Sequence, residues 1–149
     1  MTKRIDIKKS GFNVPIGELD FFFSTAEDNL MAFYDKMETA PQKELAIAEK
    51  YSEVDTDKLE GDDVEESHKQ AKKGLSVMRE ETAFKYDVIL GEGTFDELNK
   101  VYDLWALEDT YPKVVEYIVN GINKYFDGKT KSNKKVMEEY IKKQSKKKK

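Results

Sequence analysis

The chain has 149 residues, of which 38% are hydrophobic and 38% charged, with no cysteine and a single histidine, His68. One soluble, surface-rich domain fits those figures. A membrane protein does not, because the longest apolar runs, such as Phe21 to Phe23, fall far short of the roughly 20 residues a crossing helix needs. Disulfides, thiolate chemistry and any mechanism built on two histidines are excluded.

The first stretch reads as strand. Ile5 and Ile7 alternate with charged residues, Phe12, Val14 and Ile16 with Asn13 and Pro15, and Leu19, Phe21 and Phe23 with Asp20 and Phe22. Gly17-Glu18 is a two-residue hairpin turn between the last two runs. Pro15 has no N–H and belongs on a sheet edge. A hairpin alone is marginal in water, so its apolar face must pack on the rest of the chain.

The remainder reads as helix. Ser24-Thr25-Ala26-Glu27 has capping-box form, and Leu30, Tyr34 and Met37 then share a face, with Met31 and Phe33 beside it. Ala40-Pro41 predicts a break or kink, with helical spacing resuming at Leu45, Ala48, Tyr51 and Val54. Gly61-Asp62-Asp63 is a turn whose aspartates can cap the next helix. That helix, expected to be the longest, carries Val64, His68, Ala71, Leu75, Met78, Thr82 and Ile89 at alternating four–three spacing. Gly74 weakens it by about 1 kcal/mol relative to alanine, and Gly91 closes it. Thr94-Phe95-Asp96-Glu97 is a second capping box, opening a short helix with Leu98, Val101 and Tyr102. A turn is expected over Leu104 to Asp109, then a helix starting near Pro112 with the stripe Val115, Ile118, Val119, Ile122 and Phe126. Gly128 ends it, Lys129 to Asn133 link, Val136, Met137, Tyr140 and Ile141 form a short amphipathic helix, and Gln144 to Lys149 are disordered.

The fold class is therefore mainly α: a helical bundle with a small N-terminal β-hairpin and a basic, partly disordered C-terminal tail. Its core should include Phe21, Phe23, Leu30, Tyr34, Leu75, Met78, Ile89, Phe95, Leu98, Val115, Ile118 and Ile122. Two parts differ in charge. Residues 129–149 hold ten lysines against Glu138 and Glu139, a net +8, whereas residues 1–128 hold 16 bases against 28 acids, a net −12. The chain divides into an acidic helical domain, 1–128, and a lysine-rich tail, 129–149. Only Arg4 and Arg79 are arginines. Arginine is the side chain best suited to bidentate base and phosphate recognition, so an acidic body nearly without it argues against specific nucleic-acid binding.

Few residues carry site chemistry. Gly91-Glu92-Gly93-Thr94 has the outline of a phosphate-binding turn, but Glu92, Asp96 and Glu97 surround it, and it reads as a cap. His68 beside Glu65 and Glu66 lacks converging ligands and reads as a partly buried structural residue. The cluster Glu60, Asp62, Asp63, Glu65 and Glu66 lacks the oxygen spacing of a calcium loop. No cofactor, metal or catalytic residue is expected. Trp105, between Leu104 and Ala106, is either a core anchor or part of a contact surface. Phe22 points away from the face formed by Leu19, Phe21 and Phe23. It either docks a partner, a second copy included, or lies under another helix.

The order of parts is a strand pair and Ser-started helix (Leu19 to Glu27), a charged helical hairpin, an Ile-Leu-Gly-Glu-Gly-Thr-Phe step (Ile89 to Phe95), an aliphatic helix and a lysine-rich end. It resembles the small tail assembly chaperones encoded by long-tailed phages of Gram-positive bacteria. The resemblance implies a non-enzymatic protein that binds the long helical tape measure protein in the host-cell cytoplasm, with other tail proteins as further candidate partners; composition and charge argue against nucleic acid and membrane as partners. Lys146 to Lys149 read either as a solubilising tail or weak electrostatic contact with an acidic partner, or, as the resemblance implies, as codons that form a ribosomal slip site yielding a longer product. The resemblance supplies no binding residues, so the partner-binding candidates, Phe22 and Trp105, come from the pattern alone. A small acidic helical adaptor that blocks a basic partner is the alternative.

Overall fold

The computed structural model describes residues 2–147, with side chains through residue 143. Strands β1 (Gly11–Ile16) and β2 (Leu19–Ser24) are followed by helix α1 (Glu27–Ala48) and a 3-10 segment (Glu49–Glu53). Helices α2 (Thr56–Leu59), α3 (Val64–Leu90), α4 (Thr94–Asn99) and α5 (Leu104–Lys147) complete the chain. The protein is mainly helical with a two-stranded antiparallel hairpin at its N-terminal end. Helix α1 lies along α3, α3 packs on α4 and α5, and β1 lies on α5.

The hairpin obeys its sequence closely. Phe12 pairs with Phe23, Val14 with Phe21 and Ile16 with Leu19, which puts these six side chains on one face. Val14, Ile16 and Phe23 are buried there. The Phe23 ring stacks on Phe12 at 5.3 Å and meets Phe33 of α1 edge-on at 5.2 Å. The turn needs glycine: Gly17 has φ +57°, and an added Cβ would collide with the Tyr102 phenol. That phenol oxygen accepts from the Glu18 N–H at 2.7 Å, tying the hairpin tip to the link between α4 and α5. Ile5 and Ile7 do not extend the sheet. They are 90% and 85% exposed and lie in no regular element, since among the described residues no third strand pairs with them.

Neither capping box forms. Ser24 still pairs with Gly11, so α1 starts at Glu27 with Ala26 in the cap position and no side-chain cap. The Ser24 hydroxyl instead accepts from the Ala26 N–H at 3.2 Å. At α4 the cap residue is Gly93, with φ +90°. Thr94 donates its hydroxyl back to the Gly91 carbonyl, and the Phe95 N–H donates to Asp87 of α3 at 3.0 Å. The first turn of α4 is thus held by the neighbouring helix. Asp63 does cap α3, accepting from the Glu65 and Glu66 N–H groups, and Gly91, with φ +106°, ends that helix.

The break expected at Ala40-Pro41 does not occur: α1 runs through Pro41. Helix α5 likewise runs through Pro112, where the sequence predicts a start. Each proline is exposed or half-exposed, and in each case a threonine two residues earlier donates back one turn, Thr39 to the Asp35 carbonyl and Thr110 to the Ala106 carbonyl. Such back-bonding slightly bends a helix. An interior proline costs about 3 kcal/mol. Packing of the opposite face, Ala40 in α1 and Leu107, Val114 and Ile118 in α5, outweighs that cost.

Helix α5 is consequently the longest, at 44 residues against 27 for α3. It begins where Asp103 accepts from the Ala106 N–H at 2.9 Å, so Leu104 to Asp109 form helix and not a turn. It neither ends at Gly128 nor loosens over Lys129 to Asn133; Lys131 pairs with Asp127 one turn back, at 3.1 Å. Val136 to Ile141 belong to this same helix. The disorder expected from Gln144 onward meets a helical backbone to Lys147. Lys148 and Lys149 lie outside the described residues.

The core comprises Val14, Ile16, Phe23, Leu30, Phe33, Tyr86, Ile89, Phe95, Leu98, Leu104, Leu107, Val114, Ile118 and Ile122. Phe21, Met78 and Val115 pack partly against it, but Tyr34 and Leu75 are 52% and 46% exposed. The inward face of α3 is Gln70, Val77, Thr82, Tyr86 and Ile89. The expected seam through Val64, His68, Ala71 and Leu75 instead lies toward water. Gln70 belongs to the inward face: its side-chain carbonyl accepts from the Asp55 N–H at 2.8 Å, fastening the loop before α2 to α3. The Tyr86 hydroxyl donates to the Leu107 carbonyl of α5, and its ring meets Tyr111 edge-on at 5.5 Å. Burial, reinforced by Tyr111, pushes the Tyr86 phenol up to about 12.

Candidate functional site

Phe22 stands on the outer face of the hairpin, opposite Asn13 and 53% exposed. The geometry comes from alternation, since its neighbours Phe21 and Phe23 take the inner face. Its ring is not free on both sides: it lies over the backbone of Gly11, where a Cβ would displace it. It also borders a small pocket of about 120 Å³ lined by Phe33, Lys36, Val88, Ile89 and Leu90. A phenylalanine seated on glycine with its outer face in water is a fixed apolar knob. Among the described residues, no helix covers it.

Trp105 occupies the first turn of α5 and is 60% exposed. Of the two readings of this residue, core anchor is wrong; Leu104 and Leu107 fill the core on either side of it. Trp105 is not among the residues lining the pocket that Phe22 borders.

A third apolar surface is not among the sites expected from the sequence. Leu30, Met31 and Tyr34 of α1 and Tyr125 and Phe126 of α5 line an open groove of about 490 Å³, with Glu27 at its edge. Met31 and Phe126 are 61% and 45% exposed. The pair Met31 and Tyr34, at helical spacing, is the signal for it, but the same spacing places Tyr34 in the core. On the other side of Tyr125 a second groove of about 470 Å³ is lined by Phe12, Tyr117, Gly121 and Lys124. Gly121 is required there because the Phe12 ring occupies the space of its missing side chain.

The polar candidates form no site. His68 is exposed on α3, not partly buried, and the acids near it serve the helix start through Asp63. Among the described residues, no three His, Asp or Glu side chains gather to hold a metal, and no helix is long and apolar enough to cross a membrane. Lys50–Glu80 at 2.6 Å ties the 3-10 segment to α3, and the half-buried Lys85–Glu44 pair at 3.3 Å ties α1 to α3; an exposed pair such as Lys50–Glu80 contributes about 0–1 kcal/mol. No known protein family, curated protein or solved structure matches this chain.

Proposed function

We propose that this chain is a non-enzymatic assembly chaperone of the phage-tail type, acting in the host-cell cytoplasm on a long helical tape measure protein. The observation that carries the reading is Phe22: a rigid apolar knob half in water on a strongly acidic body. An amphipathic helix that has not yet found its assembly partners exposes an apolar seam. A protein offering isolated apolar knobs, Phe22 and Trp105, covers such a seam, while its own charge keeps the complex in solution. Release needs no chemistry, only a competing surface that buries the seam better.

The test is co-expression with a tape measure protein, scoring how much of it stays soluble. The Phe22→Ser, Trp105→Ser double variant should fold normally and lose most of the solubilised partner. Equal recovery with the variant would refute the reading. Loss of the native complex on raising salt from about 0.05 to 0.5 M would favour an acidic adaptor instead, since contacts between exposed charges are screened over about 10 Å at 0.1 M and apolar ones are not.

A further inference from the structure

Ile122 is the last buried residue of α5 among those described. The 25 residues from Asn123 to Lys147 continue the helix for about 37 Å at 1.5 Å per residue. This projecting arm is not uniformly polar. Val136, Met137, Tyr140 and Ile141 are 61%, 57%, 58% and 60% exposed. Val136 and Tyr140 stand eighteen residues beyond Ile118 and Ile122, about five full turns, so the arm's stripe extends the face that the body buries. Phe126 lies within the same arc, and between the two apolar sets runs the polar segment Lys129 to Asn133.

The arm cannot satisfy its stripe within its own chain. The groove of Met31, Tyr34 and Phe126 lies at the arm's root, and reaching it would require the helix to break and reverse. Two arms side by side in parallel would set lysine against lysine along their length. An antiparallel exchange avoids the reversal and confines lysine facing lysine to the middle of the pair, where Lys129 of one copy meets Lys134 of the other. With the two α5 helices centred near Lys131, Met137 of one faces Phe126 of the other, and the polar segments meet at the middle. Each basic arm then lies on an acidic body, beside Glu27, Asp28, Asp35 and Glu38 of α1. Net charges of +8 on the tail and −12 on the body of one chain become complementary between two. A twofold arrangement makes every such contact twice.

We infer that the projecting end of α5 is a dimerisation arm that lies antiparallel on α5 of a second copy, its Val136, Met137, Tyr140 and Ile141 stripe seated in that copy's Met31, Tyr34 and Phe126 groove. The inference uses neither Phe22 nor Trp105 and does not rest on the chaperone reading. Sedimentation equilibrium of the full chain should give twice the chain mass. Val136→Asp with Tyr140→Asp should raise the dimer Kd by about 100-fold or more with helicity kept, because both side chains are already in water in the single chain. The absence of native cysteine gives a second test. Mixed under oxidising conditions, Met31→Cys and Met137→Cys chains should form a disulfide-linked pair, and Met137→Cys alone should not. A monomer up to about 100 μM, a dimer indifferent to the two aspartates, or efficient self-linking of Met137→Cys would each overturn the arrangement. So would a monomer whose arm instead carries it down with phosphatidylglycerol vesicles.

Discussion

Tyr86 offers a test of the core in which the effect changes sign with pH. Its side chain is fully buried, its hydroxyl donates to the Leu107 carbonyl, and its ring packs on Tyr111. Replacing it with Phe keeps the ring and removes only the hydroxyl. At neutral pH the loss should be about 1 kcal/mol, the usual net worth of one hydrogen bond. The fold favours the neutral phenol, holding its pKa at about 12 against an ordinary 10.0. A group whose folded pKa is raised contributes stability that is whole below the unfolded value and is lost as pH climbs to the folded one. By linkage the wild type should forfeit about 1 kcal/mol by about pH 11 and about 2 kcal/mol by about pH 12, and the Phe variant none of this. The two proteins should therefore be equally stable somewhere near pH 11, with Tyr86→Phe the more stable above it. Urea unfolding tracked by far-ultraviolet circular dichroism at intervals of pH measures the difference directly. Tyr111, whose phenol burial and Glu44 also push up, is present in both proteins and largely drops out of the comparison. A difference that stays constant from neutral to about pH 12 would refute the buried, hydrogen-bonded phenol.

Other substitutions test other parts of the fold. Ile118→Asp places a carboxylate in the core at a position 1% exposed and should abolish cooperative unfolding; a folded, soluble variant would mean that the wrong face of α5 is inside. Gly17→Ala should lower stability by about 1–3 kcal/mol through its positive φ and the clash with Tyr102, read as a drop in Tm. Trp105→Ser alone should change unfolding free energy by no more than about 0.5 kcal/mol, because the indole is mostly in water; a loss of several kcal/mol would return Trp105 to the core. Gly121→Val should expel the Phe12 ring and loosen the hairpin from α5, visible as faster hydrogen exchange at the β1 amides with α3 unchanged.

The parts of the fold legible in the sequence are those fixed by local periodicity and local sterics. Two-residue alternation and Gly17-Glu18 set the hairpin and its inward face, and with it the outward position of Phe22. Asp63 and Gly91 mark the ends of α3 because capping is decided within a turn of the chain. Single residues mislead when weighed against extended packing. Pro41, Pro112 and Gly128 are all poor helix residues, yet each lies on a helix whose other residues are engaged or favourable. A cost of about 1–3 kcal/mol at one position does not break a helix when several buried aliphatic side chains on the same element hold it in line. The run Leu104, Leu107, Tyr111, Val114, Ile118, Ile122 already carries the continuous three–four spacing of α5, with Asp103 as its cap.

The same imbalance hides the groove at the root of the arm. Tyr34 and Leu75 fit helical spacing as well as the residues that are in fact buried, but spacing fixes only which side chains share a face, not how wide the covered part of that face is. Helix α1 covers Leu30, Phe33 and Ala40 and leaves Met31 and Tyr34 at the margin, because α3 and the hairpin reach only so far around it. An aromatic at the margin of a core is half a contact, and a second surface decides its use. In this chain the margin residues of α1 lie beside the last packed turn of α5, where a 44-residue helix leaves the body with its apolar stripe uncovered. The longest element of the protein and its unfilled groove thus arise from one cause: α5 outruns the body that it helps to build.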